Sequence, residues 1–303
     1  MEIKIQLPEK FLEEEIRCGY TVTGEMKKVW AVELDLLAEL DRVCNQYDLK
    51  YCVAAGTLLG AIRHKGFIPW DDDIDVYMLR NDYDKLMKLS DKFSHPYFLQ
   101  NTYTEKKLFR THAQLRNSST TGFVQSDKYM DINRGIFIDI FPLDGVMEEN
   151  RKGDVRRQCF YNNLYKKCLQ KYNATYLTKE EKGIFEKGKI AVKKIFFTFI
   201  RKEWIFRRYE NNLKKFSNEQ TKLWGNRTIV FESTKSKRPL SDWKHFVKAP
   251  FEFLMVPIPE NYDEILKQQY GEYMEFPKDK HNGSIHGELI LSTECAYMDY
   301  KED

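Results

Sequence analysis

Residues 56–75, GTLLGAIRHKGFIPWDDDID, decide how the rest of the chain is read. A small-residue turn and a basic loop precede a strand expected over Asp73–Met78, and Asp73 and Asp75, two residues apart, then share one face of it. Side chains on one face of a strand can share a metal ion. The GTLLG turn offers backbone amides to a phosphate, since TLLGAIRH reads as a short helix whose first turn carries unpaired N–H groups. Arg63, His64 and Lys65 supply positive charge beside it; the plainer reading of those three is a solvated loop.

A second stretch, GIFIDIFPLDG at residues 135–145, carries Asp139 among Ile136, Phe137, Ile138, Ile140 and Phe141. A lone carboxylate in so apolar a strand is costly unless it has a partner, and a divalent cation shared with Asp73 and Asp75 supplies one. Acidic turns before strands are common and usually solvated, so the pair alone says little; the three aspartates together point to metal binding. Two magnesium ions bridged by such carboxylates could clamp the attacking and leaving oxygens of a phosphoryl group, chemistry that asks mainly for positioning and charge neutralisation.

Outward from these stretches, residues 23–48 carry apolar side chains at spacings of three and four, with Thr23 as N-cap and Glu25 in the first turn, which predicts an amphipathic helix. Residues 50–55 read as a strand, 80–93 as a helix, and 97–100, 108–116 and 134–141 as further strands. Tyr262–Tyr270 reads as a short helix. The order predicts an α+β (mixed α/β) fold, a small mixed sheet flanked by helices. Three regions are expected: a catalytic core over 1–145, a basic helical region over 146–225 and a C-terminal region over 226–303 packing on the core.

The middle region stands out in charge. Residues 181–215 hold 11 Lys/Arg against four Glu, about +7, with many bulky apolar residues between them. Packing on the core is the first reading, and an anionic membrane surface the second. Across all 303 residues 49 basic and 46 acidic side chains leave only +3, which excludes a polycation that holds nucleic acid by phosphate neutralisation. Cys18, Cys44, Cys52, Cys159, Cys168 and Cys295 show no CxxC or zinc spacing and read as reduced thiols. The N-terminus lacks a signal-peptide apolar run, and no stretch offers about 18 consecutive apolar residues, so a cytoplasmic protein is expected.

The stretches GTLLGAIRHKGFIPWDDDIDV, RNDYDKL, QLRNSSTT and GIFIDIFPLDG together resemble the LicD family of phosphocholine transferases, a branch of the nucleotidyltransferase fold related to the fukutin-related proteins. The likeness extends more loosely to FEFLMVPIPENYDEILKQQYGEYM and omits the basic helical middle. It implies magnesium-dependent transfer, with manganese as an alternative ion, of phosphocholine or a similar group from a CDP-linked donor, CDP-choline being favoured. The acceptor would be a hydroxyl of a cell-surface glycan or lipid-linked glycan, such as lipopolysaccharide, teichoic acid or capsule, with CMP leaving. Gly56 and Thr57 match the family's phosphate-facing turn, Asp73 and Asp75 its metal pair and Asp139 its third carboxylate, which could also take the acceptor's proton.

Lesser expectations complete the reading. Arg116, at a strand end, could reach the donor phosphate, against a plain surface ion pair. Trp70 and Tyr77 could face a choline cation, though an aromatic beside a strand is more often core. His281 and His286 read as structural or solvated, and Asp71 and Asp72 as outside the catalytic set. An inner-membrane-face location fits a lipid-linked acceptor. A nucleotide-sugar glycosyltransferase using the DxD pair, and a catalytically silent scaffold, are the competing functions.

Overall fold

The computed structural model describes residues 2–105, 108, 110–128, 130–146, 152–176, 184–199, 202–218, 221–228, 237–276 and 289–301. In chain order the elements are β1 (Glu15–Arg17), β2 (Tyr20–Val22), α1 (Gly24–Gln46), β3 (Cys52–Val53), α2 (Ala55–Arg63), β4 (Asp75–Leu79), α3 (Arg80–Leu86), β5 (Tyr97–Gln100), β6 (Ala113–Asn117), β7 (Thr121–Val124) and β8 (Ile136–Gly145). Three helices follow: α4 (Lys152–Tyr176), α5 (Ile184–Phe199) and α6 (Lys202–Lys214). The chain ends with β9 (Leu223–Asn226), β10 (Arg238–Pro239), β11 (Phe246–Phe251), β12 (Leu254–Pro259), α7 (Tyr262–Tyr270) and β13 (Leu289–Ser292). This is the α+β class.

β8 is the organising strand because ten residues of it serve three partners. β4 runs parallel along one edge, pairing Asp75 with Asp139 and Leu79 with Leu143. Along the other edge β6 pairs antiparallel with the first half, Gln114 opposite Asp139, and β9 with the second half, Trp224 opposite Gly145. β3 extends the sheet beyond β4, β5 beyond β6 and β10 beyond β9. A strand paired on both edges and covered on both faces reads as an unbroken apolar run, which is why IFIDIF lacks alternation.

Helix α1 packs against β6 and β8. Thr23 caps it, its Oγ1 accepting from the Met26 N–H at 3.2 Å. Trp30, Leu34, Leu36, Leu37 and Leu40 are fully buried in the core it shares with Val76, Ile138 and Ile140; each such aliphatic side chain contributes about 1.5–3 kcal/mol by leaving water. A second, smaller core joins Leu108, Met130 and Ile132 to Tyr165 of α4 and Ile205, Phe206, Tyr209 and Leu213 of α6. Between the two cores Arg80 and Asp144 form a buried bidentate pair, Nε–Oδ1 at 2.8 Å and Nη2–Oδ2 at 2.5 Å, with Ser217 Oγ also donating to Asp144.

The basic middle divides. α6 turns its apolar face into the second core, whereas α5 leaves Phe185, Val192, Ile195 and Phe199 exposed. Among the described residues, no helix is long and apolar enough to cross a membrane.

Candidate active site

The aspartates meet at the start of β4 and in the first half of β8. Sheet register sets Asp75 beside Asp139, and the Asp139 N–H donates to Ile74 O at 2.9 Å, which locks the two strands at this point. Asp73 lies just before β4 rather than within it, yet one carboxylate oxygen from each of Asp73, Asp75 and Asp139 comes within 4.8 Å of the others. The three are thus brought together by a parallel strand pair plus the bend before it. All the donors are carboxylate oxygens, the set that hard divalent cations such as magnesium select, so the residues fit the ion.

Helix α2 begins beside this cluster. Thr57 is buried, and its Oγ1 accepts from the Asp75 N–H at 2.8 Å, tying the helix start to the strand start. Gly56 is closely approached: a Cβ there would lie 2.7 Å from Asp71 Oδ2. The acidic loop therefore already lies against the first turn of α2. Trp30 Nε1 donates to Asp71 O at 3.1 Å and holds that loop to α1.

Charge differs sharply within the cluster. Burial, reinforced by Asp73, Asp139 and Asp71, pushes the Asp75 carboxyl well above its usual range. Burial alone would raise Asp139 too, but His112, Arg110 and Gln114 outweigh it and the net direction is down. His112 Nε2 lies 3.1 Å and Gln114 Nε2 2.7 Å from Asp139 Oδ1. Both contacts fall on Oδ1. Two neighbouring carboxylates are so driven apart, one toward the acid and one toward the carboxylate.

His112 and Gln114 escaped the sequence reading, and so did Glu33 of α1. Gln114 lies on β6 opposite Asp139 and His112 in the bend just before that strand, and the alternation of polar residues His112, Gln114 and Arg116 was their only trace. Glu33 is 2% exposed, with Oε2 lacking any hydrogen-bond partner. Burial, followed by Asp73, Asp72, Asp71 and Asp139, pushes its carboxyl well above the usual range.

Several expected residues hold other posts. Arg116 is fully buried and faces no open phosphate site: Nε donates to Gln100 Oε1 at 2.7 Å, Nη1 to Gly135 O and Gly122 O, and Nη2 to Gln114 Oε1 at 2.5 Å. It acts through Gln114, which passes its other end to Asp139. Arg63 donates Nη1 to Tyr273 O and Glu275 O and Nε to His64 Nε2, so much of its guanidinium anchors the C-terminal segment. Burial, with Arg63 and Arg17 nearby, pushes His64 down to about 4, so this imidazole is neutral near pH 7 and adds no positive charge. Lys65 is exposed, at a left-handed φ of 60°. Tyr77 is core, against Phe141 and Trp243, whereas half-buried Trp70 meets Tyr20 and His64 edge-on. His281 and His286 lie outside the described residues.

Residues 48–167 match the family model described as LicD/FKTN/FKRP, nucleotidyltransferase domain. The lipopolysaccharide cholinephosphotransferase LicD of Haemophilus influenzae is 27% identical over 267 residues, 82% of this chain and 90% of that protein. Shorter likenesses link the chain to uncharacterized proteins of Rickettsia prowazekii, 34% identical over 74 residues (24% of this chain, 27% of that protein), and Rickettsia typhi, 40% over 47 (16% and 15%). Residues 48–167 thus carry a LicD-type domain, and the likeness to LicD runs over most of the chain.

Proposed function

We propose that this protein transfers phosphocholine, or a similar phospho-substituent, from a CDP-linked donor to a hydroxyl of a cell-surface glycan, releasing CMP. The observation that carries the reading is the convergence of Asp73, Asp75 and Asp139 inside a LicD-type domain. Similarity to an enzyme named for cholinephosphate transfer to lipopolysaccharide favours choline as substituent and lipopolysaccharide as acceptor.

In this reaction the acceptor oxygen forms a new bond to the substituted phosphorus, the P–O bond to CMP breaks, and the hydroxyl proton passes to a base. Asp139 is the candidate base where its Oδ2 is not taken by the metal: His112 and Gln114 hold it ionised through Oδ1. Thr57 fixes Asp75 at the backbone, and the α2 N-terminus favours negative charge beside it. Asp73, Asp75 and Asp139 would hold magnesium, or manganese in its place, and the bound ion supplies charge neutralisation at the transferred group.

The test is a panel of CDP-choline, CDP-ethanolamine, CDP-glycerol and CDP-ribitol, scored by magnesium-dependent CMP release with wild type and Asp75→Asn in parallel. Release from one donor, lost in the variant, is the expected result. Silence with every donor and glycan acceptor would overturn it.

The proposal includes where the enzyme works. On α5 the exposed Phe185 (84%), Val192 (66%), Ile195 (59%) and Phe199 (79%) fall on one face at helical spacing, flanked by exposed Lys187, Lys189, Lys193 and Lys194. An apolar stripe edged with lysines suits the cytoplasmic face of an anionic membrane, where a lipid-linked acceptor would lie. Co-sedimentation with phosphatidylglycerol vesicles, weak with phosphatidylcholine and lost in Phe185→Ser/Phe199→Ser, is expected; unchanged partitioning would rule it out.

A further inference from the structure

Two residues with side chains occupy the left-handed backbone region and are bonded to each other: Lys65 at φ 60° and Glu252 at φ 54°, the Glu252 N–H donating to Lys65 O at 2.7 Å. Residues other than glycine hold that conformation only where their surroundings impose it. Lys65 begins the loop that runs from α2 to Asp71, whereas Glu252 forms the turn between β11 and β12, far along the chain. The Glu252 side chain then enters the same loop. It is 6% exposed, and its Oε1 accepts from the Phe67 N–H at 3.1 Å. Arg17 of β1 grips that carboxylate with both arms of its guanidinium, Nη1–Oε1 at 2.5 Å and Nη2–Oε2 at 2.8 Å, which fixes its orientation. Gly66 leaves the room for it, since a Cβ there would collide with Oε1.

From Phe67 the contacts pass on to the acidic loop. The Phe67 ring stacks on Trp30, centroids 4.5 Å apart and planes 6° from parallel, and the Arg17 guanidinium lies 5.3 Å from the same indole. Trp30 Nε1 donates to Asp71 O, and the Asp71 N–H donates to Ile68 O at 2.9 Å. Segment 67–71 is thus held at one end by Glu252 and at the other by Trp30, and Asp72 and Asp73 follow directly. Strand pairing fixes Asp75 and Asp139, but Asp73 precedes β4 and stands outside that ladder.

We infer that Glu252, oriented by Arg17, is a positioning residue that sets where Asp73 stands relative to Asp75 and Asp139, a role that rests on the metal reading of those aspartates. A residue of the C-terminal hairpin and one of the N-terminal hairpin thereby shape a site whose ligands lie on neither. Groups that orient a metal ligand change metal affinity about 10–100-fold when removed. Loss of Glu252 should therefore raise the Mg²⁺ needed for CMP release by at least about tenfold and leave the rate at saturating Mg²⁺ within about twofold of wild type.

The full-length protein is titrated with Mn²⁺ alone, free ion being read by its electron paramagnetic resonance signal, and hydrogen–deuterium exchange is followed in peptides covering 65–73. Glu252→Ala should bind Mn²⁺ at least about tenfold more weakly and exchange those peptides faster, while peptides from α6 keep the wild-type rate. Glu252→Gln retains an acceptor for the Phe67 N–H and should lie nearer to wild type than to Glu252→Ala on both readouts. A purely structural glutamate would lower the urea midpoint of Glu252→Ala and leave Mn²⁺ affinity and local exchange unchanged, which would overturn the positioning role, as would faster exchange with wild-type Mn²⁺ affinity. If Glu252→Ala does not fold, Arg17→Met carries the test with the same expectations. Absence of Mn²⁺ binding in wild type would sink the metal reading itself, and local exchange at 65–73 would then decide whether Glu252 holds the loop.

Discussion

Replacing Gln114 with Leu tests how the site is held in shape. Its amide makes two contacts with charged partners: Nε2 donates to Asp139 Oδ1 at 2.7 Å and Oε1 accepts from Arg116 Nη2 at 2.5 Å. Each hydrogen bond to a charged group is worth about 1.5–3 kcal/mol net. Leucine fills nearly the same volume, so little cavity is added and the loss is almost wholly polar. His112 still holds Asp139, and Arg116 keeps Gln100, Gly122 and Gly135, so the lower end applies and about 3 kcal/mol of stability should go. Asp139 would also lose its orientation. Groups that steer a metal ligand change metal affinity about 10–100-fold when removed, so Mn²⁺ binding should weaken by that much. Urea unfolding reads the first quantity and Mn²⁺ titration of the still-folded protein reads the second. A loss below about 1 kcal/mol together with wild-type Mn²⁺ affinity would refute the chain Arg116–Gln114–Asp139 as the frame of the site.

Gly56→Ala should push the Asp71 carboxylate from its place and cut CMP release at least tenfold while changing stability by less than about 1 kcal/mol, because the atom in the way is a side-chain end. Arg80→Met strands the buried Asp144 charge and should cost about 3–5 kcal/mol, while Arg80→Met/Asp144→Leu should recover much of it; urea midpoints that rank them otherwise would show that the pair does not behave as a buried ion pair. His64 gives a pH signature. With its folded value pushed down to about 4 from an ordinary 6.5, the unfolded chain binds the extra proton between those values, so stability is lost as pH falls through that window. Half exposure limits the loss to about 1 kcal/mol, and urea midpoints from pH 7 to pH 4 should fall less steeply in His64→Gln.

The fold was legible where local chemistry decides it. Thr23 and the three-and-four spacing marked α1, and Tyr262–Tyr270 forms the helix its pattern predicts. Strand limits were less legible because pairing sets them: residues 50–55 shrink to Cys52–Val53, where β4 offers partners, and residues 108–116 to Ala113–Asn117, where β8 does. The same cause moved Asp73 out of β4, since pairing with β8 begins at Asp75. Helix 80–93 stops at Leu86 and continues as a tighter 3₁₀ segment with Leu89 non-helical. The aspartates were visible as motifs, whereas His112, Gln114 and Glu33 become neighbours of Asp139 and Asp73 only through long-range register and packing, which no short window of sequence contains. Arg116 was misjudged because an arginine near a strand end reads as surface, whereas this one finds carbonyl and amide acceptors deep in the sheet.

Gly145 lies opposite Trp224, and the Val146 N–H donates to Leu223 O at 2.7 Å. The chain that leaves β8 therefore returns to its starting point some seventy-odd residues later, and topologically the whole helical excursion is an oversized hairpin loop. Closing so long a loop adds little entropy penalty over a medium one, which makes it a place where segments can be gained, exchanged or shed between relatives without re-threading the sheet. A short turn joining β8 to β9 would retain the aspartates and their frame on the near side. It would need polar replacements at Leu108, Met130 and Ile132, which the excursion now keeps dry.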